Sequence, residues 1–219
     1  MIALKSIEVV DWGLASHSTV QDLQLEAWEK ASQDGTEAVL FGELEPVITV
    51  GPRSAPEAYY NSNIPHFKVD RGGAVTLHSP GQLVIYPVLH LKKRKLSPKA
   101  YVKALLEVTA LTYQQLGIDC HEDESSVGIW TSKGKIAFLG VRIREGITQY
   151  GLSLNVHNDL KLFEQIHPCG LKKMSLDSLS HHRTGVTPFQ VFQIWISCFF
   201  RHNAFRKVAA EFDSRDLHW

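Results

Sequence analysis

Two side chains in this sequence have the chemistry to take up and hold a reactive group. Cys169 lies in the run His167-Pro168-Cys169-Gly170, just after the short amphipathic stretch Leu160 to Ile166. Flanked by proline and glycine, it reads as a loop thiol that a reagent can approach. Cys120 and Cys198 read instead as small buried hydrophobes, Cys198 lying between Ile196 and Phe199 in a greasy helix. Lys135 opens the apolar run Gly134-Lys135-Ile136-Ala137-Phe138-Leu139-Gly140. An average lysine at such a place is a solvated hairpin end; a half-buried one is a fixed cation or a base of lowered pKa. A free thiol with a pKa near 8.5 is only a few per cent thiolate at neutral pH, so a nucleophilic Cys169 needs a partner of that kind.

A third segment runs Arg71-Gly72-Gly73-Ala74-Val75-Thr76-Leu77-His78-Ser79-Pro80-Gly81-Gln82. Paired glycines let a ligand or another chain approach the backbone. Taken alone, the segment reads as a tight turn between Phe67 to Asp70 and Leu83 to Val88; Arg71 and His78 beside the glycines tilt it toward a pocket wall. No P-loop or dinucleotide fingerprint is present, so nothing asks for a nucleotide. Cys120-His121, His167, Cys169 and His181-His182 offer ligand atoms without C-x-x-C or H-x-x-x-H spacing, and no metal is expected. A Cys–His hydrolase with His78 or His167 as base lacks a recognisable third, orienting residue.

The elements that must position these groups mix strands and helices. Ile7 to Trp12 reads as a strand. Ser18-Thr19-Val20-Gln21 reads as a capping box, with Val20, Leu23, Ala27 and Ala31 as the apolar stripe behind it. Ala38 to Phe41 and Val47 to Val50, separated by Glu45-Pro46, predict a hairpin. Ser97-Pro98 starts a helix with Tyr101, Leu105, Val108 and Leu111 on one face, and Gly117 ends it. Val127 to Trp130, Lys135 to Arg144 and Gln149 to Val156 predict three strands joined by turns at Ser132-Lys133-Gly134 and Glu145-Gly146. Thr187-Pro188 starts a last helix. Hairpins without βαβ regularity argue an α+β fold, with helices packed on a mainly antiparallel mixed sheet.

The bulk numbers fit one domain, residues 1–219. The chain is 44% apolar and 21% charged, with 23 basic and 23 acidic residues. No global field steers it toward nucleic acid or an anionic membrane, and neither is expected as a partner. The N-terminus lacks the apolar core of a signal peptide, and the greasiest stretch, Val191 to Phe200, is too short to span a bilayer. An odd cysteine count is no disulfide framework; a soluble, cytoplasmic protein is expected. Lys92-Lys93-Arg94-Lys95, Lys172-Lys173 and His181-His182-Arg183 read as solvated charge, with the first a candidate docking site for an acidic carrier.

Taken together, the segments resemble the lipoyl(octanoyl) transferases, the octanoyl-carrier-protein:protein transferases of lipoate biosynthesis. The matching pieces are Arg71-Gly72-Gly73-x-Val75-Thr76-x-His78-x-Pro80-Gly81-Gln82-Leu83-x-x-Tyr86-Pro87, Gly128-Ile129-Trp130 and Lys135-Ile136-Ala137. They continue through Gly140-Val141, Gly151-x-x-Leu154-Asn155-Val156, Asp159-Leu160-x-x-Phe163 and Pro168-Cys169-Gly170. A single piece is weak; the ordered set is specific. The resemblance implies the biotin/lipoate protein ligase-like fold, Cys169 as the acyl-accepting cysteine and Lys135 as its lysine. It also implies an acyl pocket walled by Arg71, Gly72, Gly73, Ala74, Val75, Thr76, Leu77 and His78, by Phe138, Leu139 and Gly140, and by Gly151, Leu152 and Ser153. The implied activity moves an octanoyl group from acyl carrier protein, through a Cys169 thioester, to the lysine of lipoyl domains of 2-oxoacid dehydrogenases or of glycine-cleavage H protein. No cofactor is implied, and a monomer is expected. An ATP-dependent lipoate ligase on the same fold would need the lysine but no acyl-accepting cysteine, and a non-catalytic acyl-binding module would need neither. Three positions depart from the family pattern: Ser79 replaces a usual glycine, Tyr150 a histidine and Ser153 an alanine.

Overall fold

The computed structural model describes residues 7–55, 63–123, 126–166 and 175–206. In chain order the elements are β1 (Glu8–Ala15), α1 (His17–Gln33), β2 (Ala38–Leu44), β3 (Val47–Val50), β4 (His66–Lys68), β5 (Val75–His78) and β6 (Gln82–Val88). They continue with α2 (Pro98–Gln115), β7 (His121–Glu122), β8 (Gly128–Thr131), β9 (Gly134–Arg144), β10 (Ile147–Asn155) and α3 (Pro188–Arg201). Short 3₁₀ helices lie at Leu160–Gln165 and Leu179–His181. Among the described residues the strands form two sheets, one of order β1-β2-β6-β10-β9-β8-β7 and one of order β4-β3-β5. Pairing is antiparallel except for β1–β2 and β3–β4. This is the α+β architecture that the pattern of hairpins and helices predicts.

The large sheet is covered on both faces, which is why β2 and β6 are apolar at nearly every position. Val39, Phe41, Leu83, Ile85, Leu152 and Leu154 share a core with Tyr101, Leu105 and Val108 of α2 and Phe192, Trp195 and Phe199 of α3. The alternate residues Leu40, Val84, Tyr86, Val88 and Tyr150 share another with Val20, Ala27, Trp28 and Ala31 of α1. Helix starts follow from local chemistry. Ser97 Oγ accepts from Ala100 N with Pro98 in the first turn, and Thr187 and Gln190 form a reciprocal capping box. The β8–β9–β10 meander also forms as its turns predict, with Glu145 and Gly146 both at positive φ in the second turn.

Four expectations change. The cap of α1 is Ser16, whose hydroxyl accepts from Thr19 N at 3.3 Å; Ser18 lies inside the first turn. The buried line on α2 continues through Thr112, which bonds Val108 O, and Leu111 lies at its edge, 43% exposed. β2 and β3 form no hairpin. Both edges of β2 are taken, by β1 and β6, so the chain crosses at Glu45-Pro46 and β3 founds the small sheet between β4 and β5.

The basic run at 92–95 is not solvated throughout. Arg94 is buried and forks onto Glu37, with Nε to Oε1 at 2.8 Å and Nη2 to Oε2 at 2.5 Å, while Nη1 donates to Phe205 O at 3.1 Å. Glu37 Oε1 also accepts from His90 N at 2.8 Å. This planar, bidentate pairing is what a guanidinium does and an ammonium does not. Among the described residues no helix is long and apolar enough to cross a membrane.

Candidate active site

A cavity of about 280 Å³ opens between the small sheet and the β9–β10 pair. Its walls are Arg71, Gly73, Ala74, Val75, Thr76 and His78 on one side and Phe138, Leu139, Gly140, Gly151, Leu152 and Ser153 on the other. Lys135, Arg53, Tyr86, Ser126, Val127 and Tyr150 complete it. Two residues proposed for the wall do not line it. Leu77 packs beneath, with Ile48, Val50 and Phe163. Gly72 donates its N–H to Val141 O at 2.9 Å, and its missing Cβ lets the 71–73 segment lie directly on β9. Arg71 fixes the other side of that segment: Nη2 donates to Thr49 O at 3.0 Å and to Thr49 Oγ1 at 2.8 Å. Gly151 is needed where β10 meets β6, because a Cβ would collide with Ile85 O and Pro87 Cδ.

Lys135 is buried at 5% exposure, on the second residue of β9. Its Nζ donates to Val127 O at 2.8 Å and Ser126 Oγ at 3.0 Å, with Ser126 O at 3.5 Å. It also lies 5.0 Å from the Phe138 ring centre and 5.5 Å from that of Trp130. The backbone around it is pinned: Lys135 N donates to Ser175 O, and Asp177 N to Lys135 O. Gly128 makes the space. A Cβ there would sit 2.5 Å from Lys135 Cε and would also strike the Ala137 carbonyl, at a φ of +151°. Gly128→Ala is therefore expected to cost about 1–3 kcal/mol in urea unfolding and to lower the rate of the acyl transfer that the resemblance implies more than a comparably destabilising change in α2 does. Equal losses of rate in the two variants would separate Gly128 from the site.

His78 is buried against Gln82, with Nδ1 2.7 Å from Oε1. Burial, partly opposed by that bond, lowers its pKa from 6.5 to about 3. Below pH 6.5 the unfolded chain then binds a proton that the folded chain refuses. This contribution leaves stability at its full value above about pH 6.5 and erodes it by roughly 1 kcal/mol per pH unit as the pH falls toward 3. Urea titrations between neutral and mildly acid pH should show this slope, flattened in His78→Gln; an unchanged slope in the variant would assign it to other groups.

Residues 18–200 match the model of the lipoyl protein ligase A/B catalytic domain. The octanoyltransferase of Persephonella marina is 37% identical over 168 residues, covering 75% of this chain and 82% of that protein. The octanoyltransferase of Hahella chejuensis is 32% identical over 209 residues, covering 95% and 93%. The chain belongs to the lipoyl protein ligase A/B catalytic domain family. Within that family it is an acyltransferase that moves octanoyl groups in lipoate biosynthesis. Lipoate-protein ligase A bound with ATP shares the fold at a TM-score of 0.74 and 15% identity, over 90% of this chain and 85% of that one. The biotin protein ligase of Aquifex aeolicus, in complex with biotin and ATP, shares it at 0.54 and 10% identity, over 87% and 68%.

Against that family pattern, the three departures separate in space. Ser79 is buried outside the cavity wall, with no partner for its hydroxyl among the described residues. Tyr150 lines the cavity at a φ of +56°, its N–H donating to Gln24 Oε1 at 2.5 Å and its ring edge-on to Tyr86. Ser153 lines it from β10. The octanoyltransferase motifs contain Gln82, Tyr86 and Asn155 without marking any role for them. Arg53, Ser126, Val127 and Asp177 carry no sequence signal at all. Cys169, with His167, lies outside the described residues.

Proposed function

We propose that this chain, as one catalytic domain over residues 1–219, transfers octanoyl groups by two exchanges at Cys169. In the first, the Cys169 thiolate attacks the thioester carbonyl of octanoyl-acyl carrier protein, and the carrier leaves as its thiolate. In the second, the neutral ε-amine of an acceptor lysine attacks the Cys169 thioester, and the cysteine thiol is restored. The acceptors are lipoyl domains of 2-oxoacid dehydrogenases and glycine-cleavage H protein, and the setting is the cytoplasm. Exchange between thioesters is nearly balanced and amide formation is downhill, so the scheme needs no ATP.

The observation that carries this reading is the buried Lys135 ammonium in the cavity wall, held in place by oxygens of Ser126 and Val127. An ammonium has three donors, and Lys135 Nζ faces three oxygens. We read it as a fixed cation that stabilises a nearby thiolate and the oxyanion formed from the thioester carbonyl. The chain on either side of Cys169 supports the pairing. Ile166 is buried in the same cluster as Val75 and Phe163, and Ser175 accepts the Lys135 backbone N–H. Cys169 is three residues from Ile166, a span of at most about 11 Å.

Intact mass spectrometry after incubation with octanoyl-acyl carrier protein, without ATP, tests the reading. An octanoyl adduct should appear on the wild-type chain and be absent from Cys169→Ser. An adduct that survives in Cys169→Ser would place the nucleophile elsewhere, and no adduct without ATP would favour ligase chemistry.

A further inference from the structure

His78, Gln82, Asn155 and Asp177 form one directed chain of hydrogen bonds, and its far end sets its direction. The Asp177 backbone oxygen can only accept, and Asn155 Nδ2 donates to it at 2.9 Å. Asn155 Oδ1 is thereby turned to Gln82, accepting from Nε2 at 2.9 Å, and also accepts from Asn158 Nδ2 at 3.2 Å. Gln82 is left with Oε1 facing His78 Nδ1. An amide oxygen does not donate, so Nδ1 must carry the hydrogen, and a neutral imidazole then keeps its lone pair on Nε2.

The framework holds this arrangement firmly. Gln82 and Asn155 are both 0% exposed and directly opposite in the β6–β10 register, so neither amide can flip without losing its partners. Asp177 donates its own N–H to Lys135 O, which ties the end of the relay to the strand that carries the lysine. Among the described residues the hydrogen bond of His78 is the one at Nδ1, and the ring lines the cavity. The other lining nitrogens, on Arg53, Arg71 and Lys135, only donate. His78 Nε2 is thus the one side-chain nitrogen lone pair among the described lining residues.

We propose that Gln82 and Asn155 are positioning residues that hold His78 as the Nδ1–H tautomer, so that Nε2 accepts an N–H of the acceptor lysine's amine as it attacks the thioester. The inference rests on the acyl-enzyme reading above. The C–N bond forms, the C–S bond breaks, and the proton lost by the amine returns to the departing Cys169 sulfur. Nε2 orients the amine and need not carry the proton away. Gln82, four residues along the same segment, is thus the orienting partner of His78.

Two measurements test it. In the wild-type chain labelled with ¹⁵N-histidine, NMR should show His78 as Nδ1–H with an unprotonated Nε2, His78→Gln providing the assignment. An Nε2–H signal would overturn the proposal. In the second, preformed octanoyl-enzyme is mixed with an unmodified lipoyl domain in a single turnover. Gln82→Met should slow this transfer by about tenfold, the scale of one hydrogen bond, while the preceding acylation stays within about twofold. Gln82→Glu, which keeps an acceptor for Nδ1–H but loses the donor to Asn155 Oδ1, should recover part of the rate. Equal slowing of both halves, or an unchanged transfer step, would sink the proposal. Should Gln82→Met fail to fold, the wild-type tautomer and Gln82→Glu still decide it. Failure of the wild-type chain to form an octanoyl adduct would instead refute the acyl-enzyme reading, whatever the NMR result.

Discussion

Replacing Lys135 by methionine should lower octanoyl transfer by about 10³-fold while leaving folding largely intact. Methionine keeps an unbranched apolar stem of similar length, and the backbone bonds to Ser175 and Asp177 do not involve the side chain. What is lost is the ammonium and the three oxygens it faces. Those oxygens lie at the cavity wall, where water can meet part of their demand, so the cost to stability is modest. Lys135→Arg should not restore activity: the guanidinium is larger and planar, and the space beside Gly128 is already filled by Cε and Nζ. Steady-state transfer rates and thermal melts of the two variants check this. More than a tenth of the wild-type rate in Lys135→Met would remove the cation from the mechanism.

The largest stability effect is expected far from the cavity. Glu37→Leu should cost about 3–5 kcal/mol, because it leaves the Arg94 guanidinium buried without its counter-charge and the His90 N–H without an acceptor. For a chain of this size that is a fall in melting temperature on the order of 10 °C. The double variant Glu37→Leu/Arg94→Met should recover part of the loss, since apolar replacement of a whole buried pair is far cheaper than orphaning one partner. A double variant no more stable than Glu37→Leu would mean that the Arg94 bond to Phe205 O, rather than the ion pair, holds this corner. Octanoyl transfer at low temperature should be little changed in either, as neither residue lines the cavity.

Sequence alone determined the parts of this protein that depend on near neighbours. Ser97-Pro98 and Thr187-Pro188 start helices because a hydroxyl and the missing proline N–H satisfy the first turn locally. The β8–β9–β10 meander follows from two short turns, and the ordered motifs pointed to the octanoyltransferase family before any contact was known. Most of the proposed pocket wall was legible in the same motifs because contiguous runs at 73–76, at 138–140 of β9 and at 150–153 of β10 line the cavity.

Only the tertiary structure decided what depends on distant partners. Whether β3 pairs with β2 turned on β1 and β6 occupying both edges of β2. Whether Arg94 was solvated turned on Glu37, 57 residues away. Whether Lys135 was a surface lysine turned on Gly128, whose missing Cβ admits it, and on the carbonyls at 126–127 that receive its hydrogens. The tautomer of His78 turned on a backbone oxygen at Asp177, reached through two buried amides. A hydrogen bond has direction only once both ends are known, and burial only once the neighbours are in place; neither is written in the spacing of residues along a chain.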